Sequence, residues 1–158
     1  MTATRVIGGA LPTSLFYKIR GREGGKGMPD EELPTITDIY DAHEDVVQRW
    51  DLSHHGTRAA LPDRTIESVL DRVNDHDETY HRAAALLRYL ANAHVFEDGN
   101  KRTSWVVART YLLQQGLDVH PSGKRAATIM RHFKRYDVDE LAEWLRTGDI
   151  DESRLRRD

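Results

Sequence analysis

From Thr37 onward, apolar residues recur at intervals of three and four, the spacing of one face of an α-helix. The first such stripe, expected to face inward, consists of Ile39, Tyr40, Val46, Val47 and Trp50. Together, the apolar spacing and the turn residues predict helices over residues 37–50, 64–73, 78–93, 100–115, 122–135 and 137–146. This pattern predicts an all-α fold, a bundle of about six helices.

Several helix ends have their own sequence signals. Asp77 is a predicted N-cap, and Asp137 with Glu140 has the spacing of a capping box. Gly116 and Gly148 are placed to end the helices that precede them.

The first 36 residues differ from the rest because they are rich in glycine and proline. Residues 6–7 and 15–19 have the composition of two short strands, which could pair as an N-terminal β-hairpin before a mobile loop. We therefore divide the chain into an N-terminal extension (1–36), a helical domain (37–148) and a polar tail (149–158) that is expected to fray.

Composition excludes several kinds of function. The 158 residues include no cysteine, so disulfides and cysteine nucleophiles are excluded and catalysis would use oxygen and imidazole groups. The formal net charge of −3 argues against nucleic-acid binding, and no apolar run is long enough to span a bilayer. We expect a cytoplasmic protein that binds neither membranes nor nucleic acid.

Residues 94–103, with the sequence HVFEDGNKRT, combine polar groups in a way that the rest of the chain does not. They are typical of one helix end, a tight loop and the start of the next helix. The first amides of a helix are unpaired and the helix dipole is positive there, so such a terminus binds anions. Lys101 and Arg102 have the wrong charge for that dipole unless an anion lies between them.

Two side chains beside this anion site suit phosphoryl chemistry. Asp98 can supply the single carboxylate that Mg²⁺ takes when its other ligands are water and phosphate oxygens. His94 supplies an imidazole, the side chain that most often acts as a general base, and is a candidate to take the proton from a hydroxyl that attacks phosphorus.

The segment resembles the signature of the Fic/Doc family, H-x-F-x-D/E-G/A-N-G/K-R, with every fixed position filled. The similarity covers roughly residues 36–145. Within it, residues 82–117 resemble a Doc-type core, and residues 56–70 resemble the flap that docks the target in such proteins. The resemblance implies a compact Fic/Doc-like helical bundle.

The resemblance also implies a role for each matched residue. His94 would take the proton from a target hydroxyl, Asp98 would hold Mg²⁺, and Phe96 would anchor the loop in the core. The phosphates of ATP or another nucleoside triphosphate would be bound by Gly99, Asn100, Lys101 and Arg102.

Two positions separate the branches of this family. Members that transfer AMP usually have glycine at the position of Lys101 and a second arginine at the position of Trp105. Both differences resemble the Doc branch, in which the nucleotide binds in the reversed sense and phosphate itself is transferred. Arg109, one helical turn beyond Trp105, keeps AMP transfer open, and a catalytically silent binding module is a third alternative.

The resemblance further implies a toxin that blocks translation by modifying the elongation factor that delivers aminoacyl-tRNA. The family's inhibitory motif, S/T-x-x-x-E-G/N, is absent, because no serine or threonine is followed four residues later by glutamate. Such a toxin would need an antitoxin protein to restrain it.

Two other clusters have simpler explanations. His76-Asp77 resembles the doublet of HD phosphohydrolases, but a helix cap explains Asp77 better. The basic residues at 131–135 are interpreted as a solvated helix face, because the net charge is acidic.

Overall fold

The helices that the apolar spacing predicts are present in the computed structural model, which describes residues 32–156. Numbered in chain order, they are α1 Ile36–Trp50, α2 Pro62–Val73, α3 Thr79–Ala93, α4 Asn100–Gln114, α5 Gly123–Arg131 and α6 Val138–Thr147. Two 3-10 helices, Phe133–Arg135 and Glu152–Arg156, follow α5 and α6. Within these residues the all-α fold is confirmed, and the predicted N-terminal hairpin lies outside them.

Helix α3 lies at the centre of the bundle. Five consecutive residues, 83–87, are fully buried, so this helix is enclosed on all sides rather than amphipathic. It packs against α2, α4 and α6, while α1 packs against α4. No helix in residues 32–156 is long and apolar enough to cross a membrane. The arrangement places the connection between α3 and α4 in contact with α1.

Capping boxes fix the start of two helices. At α1, the Asp38 amide donates to Thr35 Oγ1 at 3.1 Å and the Thr35 amide donates to Asp38 Oδ2 at 2.9 Å. At α6, the predicted box of Asp137 and Glu140 is confirmed, with hydrogen bonds of 2.8 and 3.0 Å. Gly148 ends α6 with φ +88°, as predicted.

Three helix ends differ from the predictions. Helix α2 begins at Pro62, because the fixed φ of proline suits the first turn of a helix. Asp77 is not the cap of α3, since the Glu78 side chain accepts the His81 amide at 3.0 Å instead. Helix α5 ends at Arg131, and residues 133–135 tighten into a 3-10 turn.

Two further expectations are wrong, one about the Trp50 side chain and one about the C-terminal tail. Trp50 does not face the core but is 40 % exposed, with the Arg102 guanidinium 4.8 Å from its ring centroid. The tail does not fray as far as Arg156. Arg154 and Arg135 donate to each other's carbonyl oxygens at 2.8 and 2.7 Å, and Arg154 also pairs with Glu140.

We expect Thr35→Ala to lower the free energy of unfolding by about 1 kcal/mol, because it removes the N-cap of α1. Urea denaturation would measure this as a lower midpoint. Thr37→Ala is the matched control, since Thr37 is exposed inside the same helix and alanine is the better helix former. Equal midpoints for the two variants would contradict a stabilising role for the cap.

Candidate active site

Helix α3 ends at Ala93 and is followed by His94, which adopts a left-handed conformation with φ 51° and ψ 49°. This conformation costs a non-glycine residue about 1–2 kcal/mol, so the surrounding structure must hold it. The turn redirects the chain into residues 94–99, which we call the motif loop. The His94 side chain is exposed and lines a large cleft.

Phe96 anchors the motif loop in the core, as the resemblance implied. Its side chain is 2 % exposed. The ring of His43 from α1 stacks on it, with centroids 3.7 Å apart and planes within 5°, and the ring of Tyr40 meets it edge-on at 6.0 Å. The two aromatic contacts with α1 fix the middle of the loop.

Asn100 closes the loop. Its side-chain Oδ1 accepts the Phe96 amide at 3.0 Å, and its Nδ2 donates to the Phe96 carbonyl at 2.8 Å. Both ends of the side-chain amide are therefore committed to the loop. The prediction that Asn100 binds phosphate is accordingly limited to its backbone N–H.

Gly99 allows the loop to pass close to α1 and then enter α4. Its φ of +81° favours glycine, and a Cβ built there would lie 2.9 Å from Leu52 Cδ1 and 3.3 Å from Val46 Cγ1. Glycine is thus required here both for its conformation and for space.

The N-terminus of α4 is open for an anion. It has no side-chain cap and no acidic residue in its first turn, where Lys101 and Arg102 are both exposed. The positive end of the helix dipole and two cations therefore meet beside His94 and Asp98.

Asp98 suits a cation that is shared with phosphate. Its carboxylate is exposed on the cleft, and Oδ1 accepts the Gly99 amide at 2.8 Å. In the described part of the chain, no group of three or more carboxylate or imidazole side chains could hold a metal ion. Mg²⁺ fits Asp98 because it commonly takes one carboxylate together with water and phosphate oxygens.

The connection between α1 and α2, residues 51–61, lies along the motif loop. The Arg58 and Ala59 amides donate to the Val95 carbonyl at 2.7 and 3.2 Å, and the Glu97 amide donates to the Gly56 carbonyl at 3.0 Å. Thr57 and Phe96 form an isolated antiparallel bridge. The segment that resembles a target-docking flap is therefore hydrogen-bonded to the candidate active site.

The cleft has a volume of about 1190 Å³ and is strongly basic. Its acidic lining residues are Glu97 and Asp98. Its cationic lining residues are Arg49, Arg58, Lys101, Arg102, Arg109, Arg131, Lys134 and Arg135. Burial lowers the pKa of Arg109 from its ordinary value. A chain with an acidic net charge thus concentrates cations around the motif loop.

One wall of this cleft was not expected from the sequence. Residues 131–135, interpreted above as a solvated helix face, belong to its lining together with the start of α4. Desolvation lowers the pKa of His132, and so do the positive charges of Arg135, Arg131 and Lys101. No sequence pattern indicated that residues 131–135 and Lys101 line the same cleft.

His43 is a second residue that sequence reasoning missed. It is 4 % exposed, and its Nε2 lies 3.0 Å from the Asp98 carbonyl oxygen. Burial lowers its pKa, an effect partly opposed by this hydrogen bond. The only sequence signal was its place between Tyr40 and Val46 on the inward stripe of α1.

We expect Gly99→Ala to destabilise the protein more than Gly116→Ala does. Both positions have positive φ, which costs alanine about 1–2 kcal/mol, but a Cβ at Gly116 meets nothing within 4 Å. Repacking around Leu52 should add roughly 1 kcal/mol at Gly99. The check is the free energy of unfolding in urea, and an equal loss in the two variants would show that the approach of Leu52 costs nothing.

Comparison with known proteins agrees with this geometry. Residues 31–112 match the Fic/DOC family, and this span contains the whole motif loop and the start of α4. The chain is also 43% identical over 82 residues to Toxin Doc of Mycolicibacterium smegmatis (strain ATCC 700084 / mc(2)155). That alignment covers 51% of this chain and 60% of the relative. The chain belongs to the Fic/DOC family, and its similarity to Toxin Doc supports the Doc branch.

Proposed function

We propose that the protein is a Doc-like toxin that transfers phosphate from a nucleoside triphosphate to a hydroxyl of a protein. One observation carries this proposal. A single basic cleft brings together an exposed imidazole, an exposed carboxylate and the uncapped N-terminus of a helix. These are the groups needed to accept a proton, hold a divalent cation and bind phosphates.

His94 is the proposed general base. It is exposed on the cleft, so a hydroxyl from another protein can reach it. The imidazole takes the hydroxyl proton as the oxygen attacks the γ-phosphorus, and the bond between the β- and γ-phosphates breaks to release a nucleoside diphosphate. Imidazole is the side chain that most often acts as a general base.

The first turn of α4 is the proposed phosphate cradle. Backbone N–H groups of residues 100–102 and the side chains of Lys101 and Arg102 offset the negative charge of the triphosphate. The role of Gly99 in the cradle is narrowed to letting the backbone approach closely, because its N–H donates to Asp98 Oδ1. Asp98 would hold Mg²⁺, which when bound neutralises charge on the phosphate oxygens. The cation–π contact of Arg102 with Trp50 supports the orientation of its guanidinium.

Trp105 supports transfer of phosphate rather than AMP. It is half-buried at the cleft, and its ring packs against Trp144 with centroids 5.7 Å apart, so this position offers no guanidinium to a second phosphate. AMP transfer stays the second candidate because Arg109 also lines the cleft.

The name of the relative, Toxin Doc, supports the assignment to a toxin–antitoxin system. We propose as the target the elongation factor that delivers aminoacyl-tRNA, with loss of translation as the result. The segment at residues 56–59, bonded to the motif loop, is the proposed docking edge for the target. An antitoxin protein would restrain the activity.

Labelled ATP tests the reaction directly. In a cell extract with Mg²⁺, label from the γ-phosphate should appear on a protein while label from the α-phosphate should not. His94→Ala should lower the rate by about 10²–10⁴, the usual contribution of general acid–base catalysis. Transfer from the α-position would establish AMP transfer instead, and the absence of both labels would indicate a silent binding module.

Lys101→Ala should weaken binding of a nucleoside triphosphate by about tenfold, because a charge-assisted contact to phosphate is lost. Lys124→Ala is the matched control, since Lys124 is exposed on α5 but does not line the cleft. Isothermal titration calorimetry would compare the two dissociation constants. Equal affinities would remove Lys101 from the phosphate cradle.

A further inference from the structure

We propose that His43 is a positioning residue that holds the backbone of the motif loop so that the Asp98 carboxylate is presented to the cleft. The contacts by which His43 holds the loop do not depend on a bound ligand. Their catalytic consequence rests on the proposed function, in which Asp98 holds Mg²⁺.

The first contact is a hydrogen bond that joins α1 to the loop. His43 Nε2 lies 3.0 Å from the Asp98 carbonyl oxygen, 55 residues away in the sequence. A carbonyl oxygen only accepts, so Nε2 must carry the proton. The ring is 4 % exposed, and its loss would leave the carbonyl without this donor.

The second contact is the stack of the same ring on Phe96, with centroids 3.7 Å apart. One side chain therefore fixes both the aromatic anchor of the loop and the carbonyl two residues later. Next to it, Val46 would lie 3.3 Å from any Cβ at Gly99. This face of α1 determines where residues 96–99 lie.

The position of the Asp98 carbonyl affects the position of the Asp98 carboxylate, because both groups belong to the same residue. A rotation of the peptide after Asp98 would break the hydrogen bond from His43 and move the Gly99 amide, which Asp98 Oδ1 accepts at 2.8 Å. A misplacement of about 1 Å at a reacting centre can cost about 10²-fold in rate. His43 would therefore act on the reaction only through Asp98.

Three substitutions separate positioning from the filling of space. His43→Gln places an amide donor near the position of Nε2, His43→Asn carries the same amide one methylene too short, and His43→Phe keeps an aromatic ring but no donor. Native-state hydrogen exchange at the amides of Phe96, Glu97 and Gly99 reports the loop, because each donates a hydrogen bond there.

If His43 positions the loop, His43→Gln should preserve the loop better than His43→Asn or His43→Phe does. His43→Asn and His43→Phe should accelerate exchange at the three loop amides by about tenfold, and His43→Gln by about threefold or less. Val69→Ala, a core change on α2, is the control for general destabilisation. If exchange is instead slowest in His43→Phe and equally fast in His43→Gln and His43→Asn, His43 only fills space and the proposal is overturned.

A second measurement uses the unaltered protein and does not depend on how the variants fold. ¹⁵N NMR of His43 should show a protonated Nε2 whose proton exchanges slowly with solvent. Protonation at Nδ1 alone would overturn the proposal.

Magnesium titration of the variants in the presence of nucleotide then separates the two claims. A Mg²⁺ affinity that falls from the wild-type protein to His43→Gln and falls further in His43→Asn supports an effect of His43 through Asp98. If the wild-type protein binds no Mg²⁺, the proposed function loses its metal site, while the exchange data still decide the role of His43.

Discussion

The candidate active site depends on the burial of Phe96. Because its ring lies in the core against α1, the six-residue motif loop cannot drift away from the bundle. Asn100 then closes the loop on the Phe96 backbone, and Gly99 lets the chain pass Leu52 and enter α4. The exposed groups of the site are thus held by buried ones. This is the support that catalytic geometry requires.

Charge is distributed unevenly over the molecule in a way that suits an anionic ligand. The chain has a formal net charge of −3, yet cations outnumber acids on the walls of the cleft. They come from α1, from the connection between α1 and α2, from α4, from the end of α5 and from the 3-10 helix after it, so several separate elements contribute to one positive region. Desolvation lowers the pKa of His132 on this wall, and the positive charges of Arg135, Arg131 and Lys101 lower it further. A positive region of this kind raises the local concentration of anions and accelerates their association.

Local signals in the sequence predicted most of the fold. Apolar spacing located the six helices, and the box of Asp137 with Glu140 was correct because both partners lie within one turn. Asp77 failed as a cap because Glu78, one residue later, forms the same kind of bond to the His81 amide. The expected fraying of the tail failed because Arg154 bonds to Arg135 and Glu140, which lie earlier in the chain.

The motif placed the candidate site, but not what surrounds it. The sequence could single out His94, Asp98 and residues 99–102 as candidates because they lie in one short segment that forms a loop and a helix start. His43 and the wall at residues 131–135 were missed because they reach the site only through the packing of α1 and α5. The assignment of Asn100 to phosphate was narrowed for the same reason, since only the structure reveals that its side chain is bonded to Phe96.

The proposed function requires that the first turn of α4 bind the phosphates of a nucleotide. An amide NMR titration of the protein with Mg²⁺ and a non-hydrolysable nucleoside triphosphate tests this most directly. The largest changes in chemical shift should occur at the amides of residues 99–102. Changes that centre on another part of the chain, such as α2, or no saturable changes at all, would contradict it.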